Sequence, residues 1–213
     1  MTIVSHEHGF VFVRTRKTGG TSTELALSSL CGAKDVITPV CDRDERLREQ
    51  CGGRGPQNFV GTGLVNHSPA QRIRDVVGAA RWREYFTFCV ERCPYEKVVS
   101  LYFHRHRVKP RPSIDDFLAS GEAWDALNAP LYLDSNGEVL VNRVISYGRL
   151  EVELADVLAR FGLAVPSPMP LAKSQFREDR RPACSILNDE QRQAVATGYA
   201  TEFALFGGCC DHG

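Results

Sequence analysis

The chain lacks any apolar run long enough to cross a membrane. Its uncharged apolar stretches, such as Gly9 to Val13, are short, against roughly 18 residues for a spanning helix. No Cys-x-x-Cys pair occurs among Cys31, Cys41, Cys51, Cys89, Cys93, Cys184, Cys209 and Cys210, so the usual zinc spacing is missing and reduced thiols are expected. Net charge is also absent, with 26 Lys and Arg against 26 Asp and Glu, which speaks against wholesale binding to nucleic acid or an anionic membrane. Internal repeats and low-complexity tracts are missing too. The opening residues carry His6 and Glu7 rather than a secretory leader, so a soluble, cytoplasmic protein is expected.

At 213 residues, 43% hydrophobic and 24% charged, the chain has ordinary globular usage and is expected to form one domain over residues 1–213. The charge is spread unevenly along it. Through Arg111 there are 18 basic and 11 acidic residues, a net +7, and the remainder holds 8 and 15, a net −7. That asymmetry predicts that the N-terminal half receives an anion.

Gly9 to Thr15 is a β-branched and aromatic run, the pattern of a strand buried on both faces of a parallel sheet. A helix capped by Thr21 or Ser22 follows to about Leu30, which leaves Lys17 to Ser22 in the turn. Asp35 to Val40 reads as a short strand, and 41–56 as a helical turn or loop. Ser68-Pro-Ala-Gln71 predicts a helix from Pro69 to about Val77, with His67 just outside its positive end. Tyr85 to Arg92 is the next buried strand, and Pro94 opens a helix to about His106. Ile114 to Ser120 reads as a short helix, Leu131 to Val141 as a hairpin around Asn136-Gly137, and Val144 to Tyr147 as a strand. Leu150 to Phe161 and Asp189 to Phe206 read as helices, the second capped by Asn188. The order predicts one open three-layer α/β domain with a central parallel sheet flanked by helices.

Lys17, Thr18, Gly19, Gly20, Thr21 and Ser22 between a buried strand and a helix supply converging N–H groups, hydroxyls and a cation, which suit a phosphate or sulfate. The lysine precedes the glycines, so this is not the P-loop order of GxxxxGK[ST]. Arg92 ends a neighbouring strand, and Ser100 follows two turns into the next helix, so both suit a second phosphate. An ordinary surface pairing of Arg92 with Glu91 or Glu96 is the plain alternative. His67 is a candidate general base, because imidazole titrates near neutral pH. Glu24 is the rival, although its position in the helix favours a solvated or packing role. His104, Arg105, His106, Arg107, Lys109 and Arg111 form either an acceptor-lining or a solvated basic edge.

These residues resemble a known family. FVFVRTRKTGGTS, Phe10 to Ser22, resembles the 5′-phosphosulfate loop of sulfotransferases, FxHIPKTGGTS. FTFCVERCPYEKVVSLY, Phe86 to Tyr102, resembles their 3′-phosphate segment, FxFVRNPxxRxxSxY. HSPAQRIR, His67 to Arg74, resembles the HxxAxxIR stretch of the carbohydrate-sulfotransferase-like branch. VISYGRLE, Val144 to Glu151, and YATEFALFG, Tyr199 to Gly207, echo IGRFENLE and YxxDxxLFGY, so the likeness spans nearly the whole chain. Thr15-Arg16 replaces Ile-Pro, Glu91 and Cys93 replace an apolar residue and Asn, and Lys97 replaces Arg.

The resemblance narrows the expected fold to a P-loop-like one and implies transfer of a sulfuryl group from 3′-phosphoadenosine 5′-phosphosulfate, without a metal, to a hydroxyl or amine of a small molecule or glycan. By the same resemblance Lys17 to Ser22 hold the phosphosulfate, Lys17 neutralises the leaving oxygen, Arg92 and Ser100 take the 3′-phosphate, and His67 is the base. Lys173, Arg177, Arg180 and Arg181 are late basic residues available to the donor. A small-molecule kinase and a non-catalytic nucleotide-binding module are the competing readings.

Overall fold

The structure, a computed structural model, describes residues 2–166 and 177–206. It resolves into two compact units. The first comprises Met1–Thr15, Gly19–Glu91 and Pro130–Ala172, the second Arg16–Thr18, Arg92–Ala129 and Lys173–Gly213.

The first unit is mixed α/β, built on a five-stranded sheet of β1 (Ile3–Ser5), β2 (Phe10–Val13), β3 (Val36–Ile37), β4 (Phe86–Glu91) and β5 (Arg143–Ser146) in the order β3-β1-β2-β4-β5. Only β1 runs against the others, and β2, β4 and β5 pair in parallel. Alternation along β2 divides its fully buried side chains between the two faces. Phe10 and Phe12 join Leu27, Phe88, Val90, Ile145 and Leu154 on one side; Val11 and Val13 join Leu64, Ile73, Trp82 and Cys89 on the other. Each such burial contributes roughly 2 kcal/mol relative to exposure.

The helices of this unit are α1 (Gly20–Leu30), α2 (Asp42–Gln50), α3 (Ala70–Val77), α4 (Ala79–Glu84) and α8 (Leu150–Ala159). A single turn, α7 (Ala129–Tyr132), carries Tyr132, whose hydroxyl donates to buried Glu91 at the end of β4 (3.1 Å). The second unit is helical, with α5 (Pro94–Arg105), α6 (Ile114–Ala119), α9 (Ala183–Ile186), α10 (Asp189–Gly198) and α11 (Ala200–Phe206). Its core gathers Val98, Val99, Leu101, Phe103, Phe117, Leu187, Val195 and Tyr199. Among the described residues no helix is long and apolar enough to cross a membrane.

Several expectations are corrected. Thr21 and Ser22 do not cap α1, which starts at Gly20 with left-handed Gly19 as its N-cap and no side-chain cap bond. Ser68 likewise makes no cap, since Pro69 holds that position and the Ser68 hydroxyl exchanges bonds with the Val65 backbone instead. Of the expected hairpin only the bridge Leu133↔Val139 forms, because Leu131 and Tyr132 belong to α7. The expected helix from Asp189 to Phe206 breaks at Tyr199 into α10 and α11. Cys93 is disulfide-bonded, whereas Cys31, Cys41, Cys51, Cys89 and Cys184 are in no disulfide. Sequence spacing alone does not reveal such connectivity. Burial pushes the Cys31 thiol up to about 12, with Asp35 adding to it, so that thiol stays protonated.

Candidate functional site

β2 ends at Val13, and the chain turns through residues 14–19 into α1. Lys17 (φ 60°) and Gly19 (φ 72°) both take the left-handed conformation. For a side-chain-bearing residue such as Lys17 that costs about 1–2 kcal/mol, so the surroundings must impose it. Left-handed residues within a tight turn swing successive N–H groups toward a common side, the backbone arrangement that suits an anion. The first turn of α1 adds N–H groups without an intrahelical carbonyl partner, as at any helix start.

Within the first unit a buried arginine organises this turn. Arg14 is ion-paired through Nε with Glu24 Oε1 (3.1 Å), and donates from Nη1 to Asn66 Oδ1 (2.8 Å) and from Nη2 to the Thr21 hydroxyl (3.2 Å). Thr21 therefore serves to hold Arg14. Glu24 is buried and paired, which settles it as a packing residue of α1 rather than a solvated one. Its charge is also felt by buried Arg48, whose guanidinium is held down first by burial while Glu45 and Glu24 oppose that. A Cβ at Gly20 would sit 3.1 Å from Arg14 Nε, a tight contact that the arginine side chain would have to yield to by a few tenths of an ångström. Gly19 is pressed by the Tyr147 ring, which a Cβ would approach to 2.6 Å.

His67 comes to the same place. It is left-handed itself (φ 60°), and its Nδ1 lies 3.1 Å from the Arg14 carbonyl. A carbonyl only accepts, so Nδ1 carries a proton here, and in the neutral form of such a ring the lone pair lies on Nε2. The structure thus brings His67 together with Thr21, Gly20 and Glu24 around one residue, Arg14, whose carbonyl meets His67 and whose guanidinium meets the others, and which the sequence reading did not single out. A charged residue closing a buried strand was the one available signal.

In the second unit Arg16–Thr18 is held by Asn128. The Arg16 N–H donates to Asn128 Oδ1 (2.7 Å), and Asn128 Nδ2 donates to the Arg16 carbonyl (3.1 Å). Arg92 pairs with Glu96 (2.9 Å), as the plain alternative held, and Arg177 donates to the same carboxylate. Glu96 also accepts from the Ala183 N–H (2.7 Å). Burial raises its carboxyl, yet Arg177, the Ala183 N–H and Arg92 outweigh that and leave it below the ordinary carboxyl value. Of the four late basic residues, Arg177 is the one that shares a partner with Arg92. Arg181 pairs with Asp179, and Lys173 lies outside the described residues. Ser100 is half-buried in α5.

Lys97 is fully buried and lies 3.6 Å from Glu202, so it is a core ion. The proposed basic edge is largely neutralised, with Arg105 on Glu122 and Asp125, and Lys109 and Arg111 on Glu178. An open cavity lined by Arg74, Asp75, Ala79, Trp82 and Arg83 contains none of the expected site residues. Among the described residues no group of three or more His, Cys, Asp or Glu is arranged to hold a metal ion.

Compared with known proteins, the chain is 39% identical over 99 residues to an uncharacterised protein of Archaeoglobus fulgidus, the match covering 45% of this chain and 82% of that protein. No family model and no solved structure matches it.

Proposed function

Starting from the fact that this chain belongs to one family with the uncharacterised Archaeoglobus fulgidus protein, we propose that it is a sulfotransferase using 3′-phosphoadenosine 5′-phosphosulfate. The acceptor is a hydroxyl or amine of a small molecule or glycan. The fold proposed with it is the P-loop-like sulfotransferase arrangement, of which the mixed α/β unit with its mostly parallel sheet is the coarser form.

The observation that carries the reading is the seat of His67. An imidazole whose Nδ1 faces the Arg14 carbonyl offers Nε2 as a base at the mouth of a glycine turn with the backbone curl of an anion site. When bound, the donor supplies an activated sulfuryl group on a phosphate leaving group. Lys17 and the N–H groups of Gly19, Gly20 and the first turn of α1 hold the anionic end, and the Lys17 ammonium offsets charge on the leaving oxygen. His67 Nε2 takes the acceptor's proton. Arg92, with Arg177 beside the same carboxylate, supplies guanidinium donors for the second phosphate. Two guanidinium groups meeting at one carboxylate supply the donors that role asks for.

That Glu96 occupies both arginines favours a second reading, a frame that binds nucleotide without transferring sulfate. Calorimetry with adenosine 3′,5′-bisphosphate followed by labelled-donor transfer assays separates the possibilities. Micromolar binding with transfer supports the enzyme, and binding without transfer or donor hydrolysis supports the module. Magnesium-dependent ATP binding in place of the bisphosphate supports a kinase and ends the proposal.

A further inference from the structure

Three buried residues far apart in sequence converge on the backbone just before Lys17. Asn128 brackets Arg16, its Oδ1 accepting from the Arg16 N–H (2.7 Å) and its Nδ2 donating to the Arg16 carbonyl (3.1 Å), and the Arg16 guanidinium donates to the Leu127 carbonyl (3.2 Å). Asn128 is itself fixed. Its own N–H and that of Ala129 both donate to Glu202 Oε1, at 2.8 and 3.1 Å. Glu202 is 1% exposed and is compensated by Lys97 Nζ at 3.6 Å, which is 0% exposed. Lys97 lies over the Tyr199 ring, 4.9 Å from its centre, and the Tyr199 hydroxyl donates to the Ala123 carbonyl (2.6 Å).

We propose that Asn128 is a positioning residue for the Lys17 turn, with Glu202 as its anchor and Lys97 as the charge that makes that anchor tolerable in the core. The inference rests on the sulfotransferase reading only for what the turn binds. Its physical basis is local. A non-glycine residue in the left-handed region persists only where its surroundings over-determine it, and the bracket fixes the chain at the residue immediately before Lys17. A buried carboxylate lacking a cation would be costly, so Lys97 is needed as long as residue 202 carries a charge. The turn itself needs only the acceptor oxygen of residue 202. Charge and positioning are therefore separable.

Two variants separate them. Asn128→Ala removes the bracket while Glu202 keeps its two backbone donors. Its Arg16–Thr18 amides should exchange with deuterium about tenfold faster, and its dissociation constant for adenosine 3′,5′-bisphosphate should rise about tenfold, as for loss of one or two neutral hydrogen bonds. Strand β4 amides should be unaffected. The double variant Lys97→Met, Glu202→Gln keeps an acceptor oxygen at residue 202 and removes both charges, so its turn should stay as protected as the wild type's. Unchanged Arg16–Thr18 exchange in a folded Asn128→Ala overturns the proposal, and so does a loosened turn in the folded double variant. Should Asn128→Ala unfold globally, the double variant decides alone. Failure of the wild type to bind the bisphosphate would end the sulfotransferase reading, while the exchange data would still judge the bracket.

Discussion

His67 and Lys17 are argued to act at different atoms, and their variants should fail differently. His67→Ala removes the base and Lys17→Ala the charge on the leaving oxygen, so each should cut turnover at least about a hundredfold. Only Lys17→Ala should also weaken the bisphosphate, since His67 is assigned no contact with it. Near-wild-type turnover in either variant, with the fold intact by circular dichroism, removes that residue from the chemistry. Glu96 makes a second, independent test. Its carboxyl sits below the ordinary value of 4.5, so in the folded state it holds its charge to lower pH than in the unfolded chain. The stability this gives is fully present above the unfolded value and is lost as pH falls through the folded one. Wild-type stability should therefore decline below about pH 4.5, and Glu96→Gln should decline less over that interval. The comparison belongs in about 0.5 M salt, which screens exposed pairs such as Arg111 with Glu178. Parallel curves for the two proteins would show that Arg92 and Arg177 do not draw on the Glu96 charge.

The strand β2 was legible because a strand buried on both faces needs an unbroken apolar run, and Phe10 to Val13 is one. β1 was not, since Ile3–Ser5 is three residues long and shows no periodicity by itself; it forms because β2 and β3 lie on either side. Asn136-Gly137 suggested a hairpin correctly as a turn, with Gly137 left-handed, but tertiary packing of Tyr132 made the preceding segment helical. The two glycines of the Lys17 turn answer to two separate constraints in the structure. Gly19 has both a left-handed φ and the Tyr147 ring against it; Gly20 lies outside the left-handed region and meets the Arg14 side chain and, at ordinary contact distance, the Thr15 carbonyl. Gly19→Ala should thus cost about 2 kcal/mol or more, from left-handed strain plus displacement of the ring. Gly52→Ala is the control, since it has a similar φ of 71° and nothing within 4 Å, and should cost only the strain, about 1 kcal/mol. Equal losses of stability in urea titrations would mean that the Tyr147 contact carries no weight. The site's supports were beyond sequence reading for a plain reason. Arg14 meets Asn66 across 52 residues, and Asn128 meets Arg16 across 112, so neither pair leaves a local pattern.

At the scale of the molecule the charge reading changes sign of emphasis. Along the sequence the split is +7 and −7, which suggested an anion drawn to the N-terminal half. The two units interleave the chain, however, and assigning residues to them gives 13 basic and 15 acidic in the first, a net −2, and 13 and 11 in the second, a net +2. The long-range field expected from the halves is therefore largely cancelled by the fold, and attraction for a nucleotide must come from groups within a Debye length of it, such as Lys17 and Arg92. A whole half at +7 would make bisphosphate affinity fall steeply with salt. Near-neutral units predict a shallow response, less than about tenfold between 0.05 and 0.5 M sodium chloride, because only a few local pairs are screened. Calorimetry across that range decides between them, with Lys17→Ala as the internal check, since losing one local cation should flatten the slope further. A steep slope that Lys17→Ala leaves untouched would restore the charged half as the source of attraction and remove the local anion turn from that role.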